Sequence, residues 1–237
     1  MSAGARPEAG AGPVAAAPLG PEGFAEVAKV PRGTLAALAT YDSLLRRTQR
    51  AVNLVGAATL GDVWRRHFLD SAQLLPLLPR PVPGSSPGRP CVVLDVGSGA
   101  GFPGLVLAIL SATVPGAPAL EVHLVEANAR KCGFLREAAR RTGIRVVLHG
   151  GRVEDLAPFA VDAIVARAVA PVARILGLAA GFLELPGARP MVLLLKGRRA
   201  PQELTEARKH WKMRAESVPS ITDPSGIVLR LKDIARA

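Results

Sequence analysis

The 237-residue sequence predicts an α/β protein, a doubly wound Rossmann-like sheet with a small helical unit ahead of it. Three observations predict this. From Cys91 onward, short apolar runs alternate with amphipathic helical patterns, as in parallel strands joined by right-handed crossovers. The first run, Cys91-Val92-Val93-Leu94, leads into the glycine-rich stretch Gly97-Ser98-Gly99-Ala100-Gly101-Phe102-Pro103-Gly104. Residues 34–76 show helical spacing only, and a proline-rich stretch divides them from that run.

In chain order, residues 1–21 are mostly Ala, Gly and Pro with little to bury, so a disordered tail is expected there. Residues 22–78 form the helical unit. Leu35, Leu38, Tyr41, Leu45, Thr48 and Val52 recur at helical spacing, with Arg46, Arg47 and Arg50 on other faces, which predicts an amphipathic helix. A second helix is expected from Asp62 through Trp64, Phe68, Leu69 and Ala72 to Pro76. Residues 79–90 hold five prolines and read as a linker, and residues 91–237 form the main domain.

The stretch after Leu94 carries the first chemistry. The glycines let the backbone turn sharply beside a ligand, and Pro103 suits the first position of the helix that follows, Leu105 to Leu110. Gly99, Gly101 and Gly104 match the dinucleotide fingerprint, but among 24 glycines one such match is weak. Asp95 separates the candidates: a carboxylate there repels a pyrophosphate and suits a cationic amine. Asp95-x-Gly97-x-Gly99-x-Gly101 resembles the first motif of class I S-adenosylmethionine-dependent methyltransferases, in which the acid and the turn hold the methionine end of the cofactor.

Composition narrows the partners. Thirty Lys and Arg against 19 Asp and Glu give a formal charge of +11, which favours a polyanion such as nucleic acid, although a solubilising surface has the same effect. The excess lies in the flanks: residues 91–190 hold ten basic and eight acidic residues, residues 191–237 ten and five. Cys91 and Cys132 lack metal-ligand spacing and read as reduced core residues. No metal site is expected. No apolar run has the length of a membrane span and the start lacks a signal-peptide pattern, so the expected place is the cytoplasm.

A second constellation lies in the helical unit, Asn53-Leu54-Val55 followed by Trp64-Arg65-Arg66-His67-Phe68-Leu69-Asp70-Ser71. Alone, His67 and Asp70 read as a local pair one helical turn apart. Together with the glycine turn, the ordered set resembles the small-subunit rRNA methyltransferase family RsmG, also called GidB. Its members carry an N-L-x-(S/G) segment and an (R/K)-H-(F/I)-L-D-S segment ahead of a D-x-G-(S/T)-G-x-G-(F/L)-P-G turn. The resemblance spans roughly Gly33 to Leu231.

The remaining elements supply ligand loops. A strand from Glu121 to Val125 ends at Glu126, where an acid can accept from ribose hydroxyls. Asn128 is placed to cap a helix from Ala129 to Arg141, with Cys132, Leu135 and Ala139 toward the sheet. In the family pattern Glu126, Ala127 and Asn128 open the acid, small residue, K/R-x-x-F-L segment. A third strand, Arg145 to Leu148, leads to a loop whose Val153 and Glu154 the resemblance places at the adenine through backbone groups, with the Glu154 carboxylate a further candidate; Glu154 and Asp155 equally suit a helix start. The fourth strand, Val161 to Ala166, ends at Arg167, a costly place for a charge unless it meets a carboxylate, phosphate or base. The family has S-R-A there; Ala166 replaces the serine.

A helix from Val172 to Leu183 and a strand from Met191 to Leu195 follow, ending in Lys196-Gly197-Arg198-Arg199, cations that can grip phosphate or decorate a surface. A helix from Leu204 to Met213 and a hairpin of Arg214 to Ile221 with Ile227 to Leu231 close the fold. The family's Arg-His pair before the last strand is absent.

The resemblance implies a seven-strand class I sheet and methyl transfer from S-adenosylmethionine to N7 of a guanine in a decoding-region stem-loop of 16S rRNA. It implies cofactor contacts from Asp95, Gly97, Gly99, Gly101, Phe102, Glu126, Ala127, Asn128, Val153, Glu154 and Arg167. The RNA contacts expected are Arg66, His67, Lys196, Arg198 and Arg199, with Arg167, His67 and Lys196 orienting the base. The partner is 16S rRNA or the small ribosomal subunit, and the chain is read as a monomer. Open alternatives are a nicotinamide oxidoreductase, a class I methyltransferase acting on another RNA, a protein or a small molecule, and a non-catalytic rRNA-binding factor. Asp95 argues against the first, the basic flanks against a protein or small-molecule substrate, and the intact glycines against the last.

Overall fold

A computed structural model describes residues 17–79, 89–167 and 170–237. The expected linker lies mostly outside these residues, as does residue 1–16 of the expected tail. The helical unit holds α1 (Pro21–Ala28) and α2 (Arg32–Gln49). Pro21, the last residue of the expected tail, is the first of α1. Ala17 and Leu19 are already bonded to the helical unit: Arg65 Nη2 donates to the Ala17 carbonyl at 2.8 Å and the Leu19 amide to Asp62 Oδ1 at 2.8 Å.

The expected single helix from Asp62 is instead a series of short turns: 3-10 at Ala57–Asp62, π-wound at Trp64–Leu69, then α3 (Asp70–Ala72) and a 3-10 turn at Leu75–Leu77. The wider π winding turns Trp64, His67, Phe68 and Leu69 all inward, more than one face of a regular helix would bury.

The sheet has seven strands: β1 (Cys91–Val96), β2 (Leu120–Glu126), β3 (Val147–Gly150), β4 (Ala163–Arg167), β5 (Met191–Lys196), β6 (Trp211–Pro219) and β7 (Ile227–Arg236). Their order is β3-β2-β1-β4-β5-β7-β6, with the first five parallel and the β6–β7 hairpin antiparallel. Between them run α4 (Gly104–Thr113), α5 (Ala129–Thr142), α6 (Val172–Leu178), α7 (Ala180–Leu183) and α8 (Ala200–Ala207).

Several boundaries differ from expectation. The third strand is Val147–Gly150 rather than Arg145 to Leu148, because His149 and Gly150 pair with Val125 and Glu126. Pro103 caps α4 instead of joining its first turn, and the helix expected from Val172 to Leu183 breaks at Ala179. The last helix ends at Ala207, and Trp211 to Met213 belong to β6. There the buried Trp211 ring lies under the Arg236 guanidinium at 4.2 Å, and a bulge between Lys212 and Arg214 absorbs the register shift. On α5 Cys132 and Leu135 are buried and Ala139 packs partly buried against the core as expected, and Phe134 and Ala138 are buried as well.

Side-chain alternation assigns each strand residue to one of two layers. Val93 of β1, Ala163 and Val165 of β4, and Leu193 and Leu195 of β5 join a core with α4, α5 and the helical unit. Leu94, Val96, Ile164, Ala166, Val192 and Leu194 face the other core, under α6 and α8. Leu38, Tyr41 and Phe68 of the helical unit share that first core, so the unit is packed onto the sheet rather than tethered beside it. By the same parity Asp95 and Arg167 point toward the helical unit, and Lys196 points away from it.

Candidate active site

A cleft of about 690 Å³ opens at the carboxyl ends of β1, β2, β4 and β5, where ligands of such sheets bind. Its first wall is the glycine turn. Gly97, Gly99 and Gly101 have φ of 69°, 58° and 95°, values that L side chains avoid. The turn is fixed by backbone bonds, from Ser98 N to Val125 O at 2.9 Å and from Gly101 N to Ser98 O at 2.7 Å.

Two carboxylates brace it. Glu126 accepts from Gly99 N on Oε2 and from Asn128 N on Oε1, each at 2.8 Å. Asp95 accepts from Gly104 N on Oδ2 at 2.9 Å, which fixes the start of α4, while its Oδ1 has no hydrogen-bond partner among the described residues. Burial pushes the Asp95 carboxyl up to about 7, against the pull of the Gly104 amide and of Arg167. Space beneath the turn is tight: a Cβ on Gly101 would lie 2.6 Å from the Tyr41 hydroxyl and one on Gly104 2.6 Å from Asp95 Oδ2. The Tyr41 hydroxyl donates to the Ala100 carbonyl from below.

The second wall centres on Arg167. Its Nη1 donates to the Arg66 carbonyl at 3.0 Å, its Nη2 lies 2.7 Å from His67 Nδ1, and its guanidinium carbon stands 5.0 Å over the Phe102 ring. Asp70 Oδ2 is 3.8 Å from Nη1. A guanidinium only donates, so His67 Nδ1 accepts and the ring proton is on Nε2, facing Thr59 Oγ1 at 2.7 Å. Burial, then Arg167 and Arg66, lower the His67 pKa to about 3, so the ring is neutral.

Of the expected site residues, Gly97, Gly99, Phe102, Glu126, Arg167, Arg66, His67 and Lys196 line the cleft. Asp95 and Gly101 lie beneath it as supports. Ala127 and Asn128 turn away: Asn128 Oδ1 caps α5 by accepting from the amides of Arg130 and Lys131. Val153 is buried in the opposite core and Glu154 is exposed on a one-turn 3-10 segment, Val153–Asp155, so neither side chain is part of the lining. His67 does not pair with Asp70 and carries no charge for a phosphate. Lys196 Nζ is bound to Glu203 Oε2 at 2.8 Å and to the Ala170 carbonyl, as its parity dictates. Arg198 and Arg199 are exposed outside the lining.

Sequence reasoning missed four contributors. Tyr41 read as one more apolar helix position. Gln49 reads as a surface residue, yet its amide accepts from Leu54 N at 2.9 Å and Val55 N at 3.0 Å and donates to Val55 O at 2.9 Å, shaping the cleft loop. Thr59 lies in the short 3-10 turn Ala57–Asp62 and Thr222 in the β6–β7 connection, with no signal beyond turn-forming composition.

A family model described as GidB, rRNA small subunit methyltransferase G, matches residues 34–226. A protein of Rhodospirillum rubrum named ribosomal RNA small subunit methyltransferase G is 54% identical over 217 residues, 92% of this chain and 99% of that one. A namesake from Paramagnetospirillum magneticum is 46% identical, covering 92% and 98%. Among solved structures, the magnesium protoporphyrin IX methyltransferase of Synechocystis superposes with a TM-score of 0.54 at 12% identity, covering 81% of this chain and 96% of that one, a likeness of fold alone. With a family match over most of its length and full-length relatives at this identity, the chain belongs to the GidB family, rRNA small subunit methyltransferase G.

Proposed function

We propose that this protein transfers a methyl group from S-adenosylmethionine to N7 of a guanine in the decoding-region stem-loop of 16S rRNA. The observation that carries the reading is the two-walled cleft, a glycine turn braced by carboxylates facing a guanidinium, in a chain of this family. The residues fit the cofactor. Above Gly99 a Cβ would meet only the Gly97 carbonyl, at 3.8 Å, so the approach is open. Asp95 Oδ1, a buried acceptor under the turn with no hydrogen-bond partner among the described residues, is suited to a cationic amine through water, and Glu126 retains lone pairs for ribose hydroxyls. Bound there, S-adenosylmethionine supplies an electrophilic methyl group.

Guanine N7 has an in-plane lone pair and no proton, so no general base is needed. A neutral His67 and an engaged Lys196 agree with that. What the chain contributes is alignment, an effect that reaches roughly 7–11 kcal/mol in well-oriented reactions. Arg167 is held by four groups and presents a fixed cation to an incoming base or phosphate.

No helix among the described residues is long and apolar enough to cross a membrane. The proposal includes action in the cytoplasm as a monomer, and sedimentation of the purified chain tests the latter. The deciding experiment is transfer of a labelled methyl group to 30S particles from a strain lacking this protein, followed by mapping at N7-methylguanine. One labelled guanine in the decoding-region loop is the expected result; no label in any RNA, with cofactor bound, overturns the rRNA assignment.

A further inference from the structure

Asp70 occupies the cleft in an unusual state for a carboxylate. It comes from α3, its side chain is 18% exposed, and burial raises its pKa despite Thr222 and Arg167 nearby. One oxygen is saturated: Oδ1 accepts from Thr222 Oγ1 at 2.6 Å and from Gln73 Nε2 at 2.9 Å. Gln73 is itself fixed, since its Oε1 accepts from Ile221 N at 3.0 Å. The other oxygen, Oδ2, has no hydrogen bond among the described residues. Its nearest cation, Arg167 Nη1, is 3.8 Å away, beyond hydrogen-bond distance. A carboxylate kept only for Arg167 would close that gap, yet Thr222 and Gln73 hold this one off it. An acceptor with two open lone pairs therefore faces the space beside Arg167.

We propose that Asp70 selects guanine by accepting hydrogen bonds on Oδ2 from N1–H and the exocyclic N2 amine of the target base. The inference rests on the reading of the cleft as a guanine-N7 methyltransferase site. With Oδ1 filled, both donors must fall on Oδ2. Only guanine among the four bases shows two adjacent donors on that edge: adenine and cytosine place an acceptor beside the amine, and uracil has one donor between two carbonyls. Enzymes acting on a base read this edge once the base leaves its stack. A carboxylate that finds no donors stays unpaired in a half-closed site, so the wrong bases are rejected more strongly than guanine is attracted.

The test is methyl transfer by the full chain to 30S particles reconstituted with 16S rRNA carrying guanine or inosine at the modified position. Inosine keeps N7, O6 and N1–H and lacks only the N2 amine. The wild-type protein should show kcat/KM at least about tenfold lower on inosine, the loss expected for one donor to a charged acceptor. In Asp70→Asn, the two donors on Oδ1 force the amide oxygen into that place and turn the amide NH₂ toward the base. Its activity on guanine should drop by about tenfold or more, its guanine-to-inosine ratio should fall to within about twofold of one, and its affinity for S-adenosylmethionine should be unchanged. Asp70→Glu, which keeps the charge but carries its oxygens one methylene away from the place that Thr222 and Gln73 fix, should lower the same ratio and decides the matter if Asp70→Asn fails to fold. Equal use of guanine and inosine by the wild-type protein, or an undiminished ratio in the variants, overturns the proposal. No label on either RNA while cofactor still binds overturns the rRNA reading and this proposal with it.

Discussion

The two walls of the cleft are built by opposite means. The glycine-turn wall comes from residues 95–104 and the end of β2, and its carboxylates grip backbone amides. The Arg167 wall draws on β4, the π turn, α3 and the β6–β7 connection, with contacts such as Arg167 to His67 and Asp70 to Thr222 spanning 100 and 152 residues. One wall is rigid because its chain is local; the other is specific because distant side chains must all be in place. Charge differs as well, since the first wall buries an acid pushed toward its neutral form and the second buries a cation beside a neutral imidazole.

The comparison is broken most severely at Arg167. Arg167→Ala should cost about 3 kcal/mol in denaturant unfolding, because the Arg66 carbonyl and the buried His67 Nδ1 both lose the donor they accept from, and should abolish methyl transfer. Arg167→Lys should restore part of the stability and little activity, as a single ammonium cannot reach the Arg66 carbonyl, His67 and Phe102 together. On the other wall, Gly104→Ala should cost about 1–3 kcal/mol, since its Cβ would lie 2.5 Å from Leu124 Cδ2 and 2.6 Å from Asp95 Oδ2. Calorimetric titration should show lost cofactor affinity in Gly104→Ala. If it shows none, the turn is not the cofactor wall.

Acid titration sharpens the contrast. His67 moves from 6.5 to about 3 on folding, so below pH 6.5 the unfolded chain takes up a proton that the folded chain refuses, and stability falls with falling pH. Asp95 moves from 3.8 to about 7, so between those values the folded chain keeps a proton that the unfolded chain releases, and stability rises as pH falls. Each contributes up to about 1.4 kcal/mol per pH unit, with opposite sign in the shared window from pH 6.5 to 3.8. His67→Gln should therefore become more stable relative to wild type as pH drops from 6.5 to 4, and Asp95→Asn less stable, by urea midpoints across that range. Parallel curves for all three proteins would show that neither group is buried as described.

The smallest effect separates two neighbouring cations. Arg198 is exposed, and Arg198→Ala should reduce the slope of log affinity for RNA against log salt by up to about 0.9 for one lost phosphate contact. Lys196→Ala should leave that slope unchanged and destabilise the protein instead, because it leaves the Ala170 carbonyl without its side-chain donor and the Glu203 carboxylate without its cation, with only the Val172 amide on Oε2. Filter binding from 50 to 300 mM salt distinguishes the two.

Much of the first wall was legible in the sequence, and little of the second. Asp95, Gly97, Gly99, Gly101 and Glu126 stand at short, fixed offsets, so the strand-turn-helix geometry follows from local backbone preferences. Even so, the depth of Asp95 was not visible, because it depends on Gly104 closing over it. Val153 and Glu154 were expected at the adenine through backbone groups because they follow a strand end; β3 ends two residues later than expected and the 3-10 turn sends the Val153 side chain into the core, which sequence spacing does not show. Lys196 looked free beside Arg198, but at the edge of the cleft strand parity turns its ammonium to Glu203 and the Ala170 carbonyl.

The sequence alone determined the succession of strands and helices from Cys91 onward, the glycine turn, the α5 cap at Asn128 and the closing hairpin, since each depends on residues within a few positions of one another. Only the tertiary structure decided that His67 would be neutral, that Arg167 would be held by the π turn, and that Asp70 would meet Thr222 and not His67. A side chain's charge state and partners depend on its dielectric surroundings and on which chain segments reach it. Those are set by the packing of the helical unit against the sheet and the β6–β7 turn, over separations that local spacing does not encode.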